Sequence, residues 1–356
     1  MATTATTIRP PTHPPTHHQD ERDRGLEAAL AAVEEQFGAA VVASPNGTAS
    51  TPPAVIPTGS LALDRALGVG GIPRGRVTEV YGPEGVGKTT LALSVLAQTQ
   101  RPGGTGVFVD AEHALDLAWA QRVGVDTDRL LLCRPDSGEQ ALQVASVLIT
   151  SGAVDVLVID SVAALVPQAE LEGAIGEPHA GVQANLLSQA LRKLAGQIAR
   201  AGVAVVVINQ LRQRAGVTGT PTYTAGGRAL GYYASVRLHL HHPGSVTEHG
   251  RVLGTRVRAQ VVKNKLAPAC QACELELHAD HGLSAEAGLL DLGLDAGLLS
   301  QRGAWVIYGT VRLGQGRQAA RRRLREHPEL AGQLDQELRA RLLATSDQPA
   351  VTTAAS

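Results

Sequence analysis

The sequence has few aromatic residues, few cysteines and no long apolar run, and each shortage excludes a class of protein. Aromatic residues make up 3% of the 356 residues although hydrophobic residues make up 44%, so Ala, Val, Leu and Ile must form the core. Three cysteines are too few for a disulfide scaffold. No stretch approaches the roughly 20 apolar residues of a membrane span, and residues 1–20 lack the apolar segment of a signal peptide. We therefore expect a cytoplasmic protein.

The charge of the chain is nearly balanced. Its 32 basic and 33 acidic residues leave a formal net charge of −1. A nucleic-acid surface would therefore need local clustering of basic side chains. The length favours about two domains with a sizeable core.

One glycine-rich segment has the pattern of a phosphate-binding loop, G-x-x-x-x-G-K-[ST]. It reads Gly82-Pro83-Glu84-Gly85-Val86-Gly87-Lys88-Thr89, with a strand-like run over 76–81 before it and a helical run from Thr90 to Gln98 after it. Backbone N–H groups of such a loop, and the dipole of the helix that follows, bind phosphate. We predict that Lys88 reaches the β- and γ-phosphates and that the Thr89 hydroxyl binds Mg²⁺. The loop, with Thr90, therefore predicts a site for ATP and Mg²⁺.

The region from Thr58 to Leu240 alternates short apolar runs with helical ones, which predicts an α/β fold with a mainly parallel sheet flanked by helices. The predicted strands are Val77–Tyr81, Gly106–Asp110, Leu130–Cys133, Val154–Asp160 and Val203–Asn209. In such sheets ligands bind beyond the carboxyl ends of the strands. Polar residues at those ends are therefore the candidate site residues.

Three of these strand ends carry side chains suited to nucleotide chemistry. Asp160 ends an apolar strand in the manner of a Walker B aspartate, which holds the metal directly or through water. Asp110 ends a second predicted strand and Glu112 follows it, and spacing alone leaves open which of them activates the attacking water. Asn209 and Gln210 end a third strand, where an amide can sense the γ-phosphate.

The N-terminal part of the sequence differs in character from this core. Residues 1–20 predict a disordered arm, in which His13, His17 and His18 resemble the tail histidines that usually bind no specific metal. Asp20 to Gly38 has the apolar spacing of an amphipathic helix, followed by a linker that ends at Pro57. The helix either folds back on its own core or docks on another subunit, and the pattern does not choose between them.

Several longer motifs occur in order along the chain, and together they resemble the bacterial RecA family of strand-exchange recombinases from about Asp20 to Ala344. The motifs are Leu67-Gly68-Val69-Gly70-Gly71-Ile72-Pro73-Arg74-Gly75-Arg76, Asp110-Ala111-Glu112-His113-Ala114-Leu115-Asp116, Asp160-Ser161-Val162-Ala163-Ala164-Leu165, Tyr233-Ala234-Ser235-Val236-Arg237-Leu238 and Lys263-Asn264-Lys265. The resemblance implies a DNA-dependent ATPase that forms a helical filament on single-stranded DNA and pairs it with a homologous duplex. It also implies SOS-type damage signalling with a LexA-type repressor as a further partner.

The resemblance also implies roles for individual residues. Glu112 is similar to the catalytic glutamate of the family, and Asp160 to its Walker B aspartate. Gln210 resembles the glutamine that couples the nucleotide to the second DNA-binding loop. Asp116 matches a residue that recognises adenine, and Trp119 a residue that stacks on it. Lys263 and Lys265 match lysines that contact the ATP of a neighbouring subunit.

The DNA-binding loops of the family correspond here to residues 172–183 and 211–225. Cations near these loops are expected to contact phosphates: Arg192, Lys193, Arg212, Arg214 and Arg228. Asn185 replaces a usual arginine, and Ala180 and Ala215 replace larger apolar wedges. Loss of a wedge weakens the deformation of the DNA, so we expect less efficient strand exchange.

The resemblance divides the chain into five parts. After the arm, residues 21–57 are the oligomerisation helix and linker, 58–283 the ATPase core, 284–344 a small α/β domain that captures duplex DNA, and 345–356 a flexible tail. The C-terminal domain carries a dense basic run that is expected to contact phosphates: Arg317, Arg321, Arg322, Arg323 and Arg325. Cys270 and Cys273 form a single C-x-x-C pair, which is insufficient for a structural zinc site.

Two other classes of protein share part of this pattern. A ring-forming P-loop ATPase would share Lys88, Thr89 and Asp160 but would normally use an arginine in trans. A non-exchanging accessory paralogue would explain Asn185, Ala180 and Ala215, but such a protein would be expected to lose Lys88 or Glu112.

Overall fold

The computed structural model describes residues 17–38, 42, 53–175, 177, 179, 181–212, 223–248, 250–269 and 271–343. The chain divides into two compact units, Met1–Pro52 and Pro53–Ser356. The first unit contains helix α1, His17–Phe37. The amphipathic helix predicted over 20–38 is therefore confirmed with slightly different bounds.

The second unit is built on a sheet of ten strands. The strands of the whole unit are β1 Val55–Ile56, β2 Ile72–Pro73, β3 Val77–Gly82, β4 Gly106–Asp110, β5 Leu131–Cys133, β6 Val156–Asp160, β7 Ala204–Arg212, β8 Tyr223–Thr224, β9 Val236–Glu248, β10 Arg251–Asn264, β11 Ala272–His278, β12 Gly282–Leu283, β13 Leu299–Arg302, β14 Trp305–Tyr308 and β15 Val311–Gln315. The large sheet has the order β12-β11-β10-β9-β3-β7-β6-β4-β5, with β8 paired to β7. The pairs from β9 through β5 are parallel, whereas β9 to β12 pair antiparallel.

Helices cover both faces of the parallel half of this sheet. The helices of the second unit are α2 Leu61–Ala66, α3 Lys88–Gln100, α4 Leu117–Val123, α5 Gly138–Thr150, α6 Gln168–Glu172, α7 Val182–Ala201, α8 Ala229–Tyr233, α9 Ala285–Asp295, α10 Gly316–Glu326 and α11 Pro328–Leu342. One hydrophobic core packs α3 against one face of the sheet, and a second packs α5 and α7 against the other. Every residue of β6 is buried, because a parallel strand covered on both faces has no solvent side.

The five predicted strands are all present with slightly different bounds, and the largest difference is at the end of β7. β7 continues past Asn209 to Arg212 because Leu211 and Arg212 pair with Thr224 and Tyr223 of β8. Sequence periodicity missed this extension, since the pairing strand of two residues leaves no alternating pattern. The two ends of the second predicted DNA loop are therefore held side by side.

The C-terminal part, from α9 to α11, has its own core around the antiparallel sheet β13-β14-β15. Leu61 of α2 belongs to this core, and Asp64 of α2 joins it to α11. The Asp64 carboxylate is fully buried and accepts hydrogen bonds from Arg339 (2.8 Å) and from the Thr58 amide (2.8 Å) and hydroxyl (2.7 Å). A buried carboxylate requires such partners, so this contact fixes the C-terminal part on α2.

Among the described residues, none of the helices combines the length and the apolar character that crossing a membrane requires.

Candidate nucleotide-binding site

The loop from Gly82 to Thr89 connects β3 to α3 and has the backbone that its glycines predict. Gly85 and Gly87 adopt φ angles of 70° and 96°, in the left-handed region that favours glycine. At Gly82, a Cβ atom would lie 2.4 Å from the Leu240 carbonyl oxygen, so only glycine fits there. The loop therefore curls in front of the α3 N-terminus, where unpaired N–H groups and the helix dipole favour an anion.

Lys88 lies across this loop. Its Nζ donates to the carbonyl oxygens of Gly82 (3.1 Å) and Pro83 (2.7 Å), and the residue is only 9% exposed. Burial lowers the pKa of Lys88, while the nearby carboxylates of Asp160, Glu112 and Glu84 act in the opposite direction. The ammonium group is thus already held at the phosphate cradle by weak neutral partners.

Thr89 and Asp160 meet at the carboxyl end of β6. The Thr89 hydroxyl donates to Asp160 Oδ2 across 2.6 Å. Burial raises the pKa of Asp160 to about 6, although the hydrogen bond from Thr89 opposes that shift. A hydroxyl and a carboxylate are the hard oxygen ligands that Mg²⁺ prefers, so this pair fits the predicted metal.

Glu112 and Asp110 differ sharply in their surroundings. Asp110 is buried and accepts from the backbone amides of Ala114 (3.0 Å) and Leu115 (3.2 Å) and from Arg134 (3.3 Å). Glu112 instead accepts from the side chains of Ser161 and Gln210. The Asp110 carboxylate therefore holds the turn after β4, whereas Glu112 extends towards the ends of β6 and β7.

The neighbouring amide side chains of Asn209 and Gln210 have different hydrogen-bond partners. The buried Asn209 amide donates to Glu79 (2.9 Å) and to the Ala225 carbonyl (3.1 Å). Gln210 Nε2 donates to Glu112 Oε1 across 3.1 Å. Asn209 therefore holds the far end of the predicted second DNA loop, and Gln210 connects its near end to Glu112.

The predicted adenine-binding residues lie at the start of α4, Asp116 just before the helix and Trp119 within it. Asp116 is the N-cap of this helix, and its Oδ1 accepts from the amides of Ala118 (2.8 Å) and Trp119 (3.1 Å). The Trp119 indole donates to the Thr90 hydroxyl across 3.3 Å, and the Arg122 guanidinium lies 5.0 Å from the ring centre. Asp116 thus has a structural contact that motif reasoning missed, although an Asp before a helix is itself an N-cap signal.

Lys263 and Lys265 meet at the carboxyl end of α8. Lys263 Nζ donates to the carbonyls of Gly231 (2.7 Å) and Tyr232 (3.1 Å), and Lys265 Nζ donates to the Tyr232 carbonyl (3.1 Å). Carbonyl groups at a helix C-terminus favour cations. Both ammonium groups are thus hydrogen-bonded to α8, the first helix after the predicted second DNA loop, whose Tyr232 side chain is exposed.

The predicted DNA contacts are described only in part. Arg192 and Lys193 are exposed on α7, and Arg228 is exposed at the start of α8. Arg212 ends β7, but its side chain lies outside the described residues, as do Arg214, Ala180, Ala215 and Cys270. Asn185 lies on α7.

The C-terminal arginine run does not present five equivalent cations. Arg317 pairs with Asp291, and Arg321 pairs with Glu276 at 2.9 Å. Arg322, Arg323 and Arg325 are exposed on α10. Fewer arginines are therefore free of a carboxylate partner, and so available to a phosphate backbone, than the sequence predicts for this helix.

A buried ion pair next to the phosphate-binding loop was missing from the sequence prediction. Glu79 of β3 is fully buried and pairs with Arg237 of β9, while its other oxygen accepts from Asn209. A glutamate in the middle of a strand expected to be buried was the available signal, because a buried charge needs a partner. Together with Asn209, the pair connects β3, β7 and β9 close to the start of the phosphate-binding loop.

Comparison with known proteins gives matches along most of the chain. Residues 24–284 match the family model described as RecA N-terminal domain, and residues 287–343 match the RecA C-terminal domain. Protein RecA of Amycolatopsis mediterranei is 50% identical over 323 residues, covering 90% of this chain and 93% of the relative. A Protein RecA of Thermus thermophilus is 52% identical over 331 residues, which cover 92% of this chain and 96% of the relative. That of Geobacter sulfurreducens is 51% identical over 317 residues, which cover 88% of this chain and 94% of the relative.

These matches do not favour the ring ATPase or the accessory paralogue, because about half of the residues are identical over about nine-tenths of the chain. ATP binding, DNA binding and self-assembly into a filament follow from the family. The chain belongs to the RecA family of DNA-dependent ATPases, which assemble on single-stranded DNA and exchange strands with a homologous duplex in recombination and repair.

Proposed function

We propose that the chain hydrolyses ATP at the loop from Gly82 to Thr89 when single-stranded DNA and a neighbouring copy complete the site. The observation that carries this proposal is the hydrogen bond between Gln210 and Glu112. It joins the base of the second DNA loop to the carboxylate that faces the nucleotide cradle. This single contact would be enough to couple DNA binding on the loop to hydrolysis at Glu112.

The phosphates are held by the loop backbone and by Lys88. When a triphosphate enters, Lys88 exchanges its neutral carbonyl partners for phosphate oxygens, which are far stronger partners for an ammonium group. Thr89 and Asp160 are the proposed Mg²⁺ ligands, and the ion would supply positive charge that offsets the negative charge of the phosphates. Asp116, Trp119 and Thr90 form the proposed adenine edge.

Glu112 is the proposed general base. It takes a proton from the attacking water, and the hydrogen bonds from Ser161 and Gln210 fix the direction of its carboxylate. A change in either contact would redirect the carboxylate and so change the rate of hydrolysis. DNA on the loop after Gln210 is proposed to set this contact.

Lys263 and Lys265 are proposed to act on the ATP of the neighbouring copy. A cation that arrives from another subunit stabilises the charge of the transition state, as an arginine finger does. Their anchoring on the α8 carbonyls supports this role, because it holds both ammonium groups together beside the exposed Tyr232. Hydrolysis therefore depends on an assembled filament, which a head-to-tail interface generates.

The remaining parts have proposed roles in assembly and DNA handling. Residues 21–57 are proposed to dock on a neighbouring copy and residues 284–344 to capture duplex DNA through Arg322, Arg323 and Arg325. Arg192, Lys193, Arg212, Arg214 and Arg228 are proposed phosphate contacts. We also propose a LexA-type repressor as partner in damage signalling, and the cytoplasm, where chromosomal DNA lies, as the location.

ATP hydrolysis with and without single-stranded DNA, measured beside strand exchange on the same preparation, tests this function. We expect strong stimulation by DNA together with joint-molecule formation. Stimulation without joint molecules would contradict strand exchange and would implicate the missing wedges at Ala180 and Ala215. An ATP hydrolysis rate that is the same with and without DNA would contradict the proposed coupling between DNA binding and hydrolysis.

A further inference from the structure

A row of charged side chains crosses three neighbouring strands of the large sheet. Glu79 of β3 lies opposite Arg237 of β9, and Arg237 lies opposite Lys263 of β10. Residues that lie opposite each other in this way project from the same face of a sheet. The strand register therefore places a carboxylate, a guanidinium group and the ammonium group of Lys263 in one row, in that order.

The first two members of this row form a buried ion pair. Glu79 is fully buried, and its Oε2 atom accepts a hydrogen bond from Arg237 Nε. Its Oε1 atom accepts a hydrogen bond from Asn209 Nδ2 across 2.9 Å. A buried carboxylate requires such partners, and here they come from the strands on both sides of β3. The pair therefore gives the Arg237 guanidinium a fixed anchor on β3.

Arg237 packs against the helix that holds the two lysines. A Cβ atom at Gly231 of α8 would lie 3.7 Å from both Cζ and Nη1 of Arg237, an ordinary contact distance. Lys263 Nζ donates to the Gly231 carbonyl (2.7 Å), and both Lys263 and Lys265 donate to the Tyr232 carbonyl (3.1 Å each). The guanidinium group thus lies next to the helical turn whose carbonyl groups hold both ammonium groups.

Glu79 also offsets the repulsion among the cations of this region. Burial lowers the pKa of Lys263, and Lys265 and Arg237 lower it further, whereas Glu79 acts in the opposite direction. Like charges that lie directly opposite each other on neighbouring strands repel and destabilise their arrangement. Without the carboxylate, Arg237 would repel Lys263, whose hydrogen-bond partners are neutral carbonyl groups that hold it only weakly.

We propose that Glu79 and Arg237 are positioning residues for Lys263 and Lys265, and that they fix the place from which both ammonium groups reach the ATP of the neighbouring copy. The inference rests on the proposed action of the two lysines in trans. Glu79 and Arg237 need not touch the nucleotide, because their effect is carried by charge and by the packing of α8. Loss of the pair is therefore expected to disable the site on the neighbouring copy and to spare the phosphate-binding loop of the same chain.

A contact with Tyr81 supplies the alternative explanation. The Arg237 Cζ atom lies 4.8 Å from the centre of the Tyr81 ring, and Tyr81 directly precedes Gly82 of the phosphate-binding loop. An effect transmitted through Tyr81 would disable the loop of the same chain. The two explanations therefore assign Glu79 and Arg237 to opposite halves of a site that two copies share.

Mixed filaments of full-length chains distinguish these two halves. In Glu79→Gln alone, we expect the DNA-stimulated kcat to fall by about 10²-fold, the effect of a misplacement of about 1 Å. Mixed 1:1 with Lys88→Ala, it should recover about a quarter of the parent rate, because one of the four neighbour combinations joins an intact loop to correctly held lysines. Mixed with a Lys263→Ala, Lys265→Ala double variant, it should recover no activity, because neither chain then supplies correctly held lysines.

The reverse pattern would overturn the proposal. Recovery with the lysine double variant but not with Lys88→Ala would assign Glu79 to the loop of its own chain. A Glu79→Gln filament with the parent rate, or filaments that recover with neither partner, would also contradict a role through the lysines. Lys88→Ala mixed with the lysine double variant is measured in parallel, because failure of that mixture alone would contradict action in trans itself and so the proposed function.

A second variant provides for the case in which an unpaired Arg237 prevents folding. The Glu79→Gln, Arg237→Met double variant removes both charges, a change that buried ion pairs often tolerate, and it should show the same pattern of recovery as Glu79→Gln. The parent rate in this folded variant would overturn the proposal. Asp155→Asn, which alters an ion pair with Arg74 just before β6, is the matched acid-to-amide control and should hydrolyse ATP as the parent does. Unfolding curves and electron micrographs verify that each variant folds and assembles.

Discussion

Gln210 Nε2 donates a hydrogen bond to Glu112 Oε1 across 3.1 Å, between residues 98 positions apart in the chain. Gln210 lies on β7, next to the residues that pair with β8, and Glu112 follows β4. Leu211 and Thr224 pair at the base of the predicted second DNA loop. The proposed coupling therefore needs only this one side chain between the base of the loop and the Glu112 carboxylate.

Replacement of Gln210 by Ala should uncouple hydrolysis from DNA. The variant keeps the phosphate-binding loop and Glu112, but DNA on the second loop no longer moves the carboxylate. We expect the ratio of the ATPase rates with and without single-stranded DNA to fall towards one. Steady-state rates with DNA binding measured in parallel check this, and Gln318→Ala on α10 is the matched control. A variant that binds DNA and retains full stimulation would contradict the role of the contact.

Replacement of Glu112 by Gln should remove the general base while preserving the shape of the site. We expect kcat to fall by about 10²–10⁴-fold, the usual contribution of a positioned base, with nucleotide affinity nearly unchanged. Asp295→Asn, on the exposed end of α9, is the matched acid-to-amide control. If both variants hydrolyse ATP alike, the reaction must use another base.

Mixing of inactive variants should reveal whether Lys263 and Lys265 act in trans. Lys88→Ala disables the nucleotide loop, and a Lys263→Ala, Lys265→Ala double variant disables the cations. In a 1:1 mixed filament, one of the four neighbour combinations has an intact site, so about a quarter of the parent rate should return.

Lys88→Ala mixed with Glu112→Gln is the control for this mixing experiment. Both of these defects fall in the same half of the site, so no combination of neighbours is intact and no activity should return. Recovery in the control, or none in the first mixture despite filaments in electron micrographs, would argue against catalysis in trans.

Replacement of Arg339 by Met should destabilise the attachment of α11 to α2. The change leaves the fully buried Asp64 carboxylate without its cationic partner, and breaking such a pair costs about 3–5 kcal/mol. Urea unfolding measures the loss, and Arg323→Met on the exposed side of α10 is the matched control, with an expected change below about 0.5 kcal/mol. Equal stability of the two variants would show that the buried pair contributes little.

Local chemistry was readable from the sequence alone. The phosphate-binding loop, its strand and its helix are neighbours in the chain, and glycine spacing fixes their backbone. The buried parallel strands were also predictable, because runs such as Val156 to Ile159 have no polar face. The sequence thereby determined the α/β class, the nucleotide cradle and the family resemblance.

Only the tertiary structure distinguished the surroundings of Asp110 from those of Glu112. Asp110 is the last residue of β4 and Glu112 follows it by two residues, so no spacing rule separates them. In the folded chain, the Asp110 carboxylate accepts hydrogen bonds from the Ala114 and Leu115 amides. The Glu112 carboxylate accepts hydrogen bonds from the Ser161 and Gln210 side chains. The pair of Glu79 with Arg237, 158 residues apart, was likewise decided by strand order. Burial and long-range pairing depend on which strands become neighbours, and that order is a property of the assembled sheet.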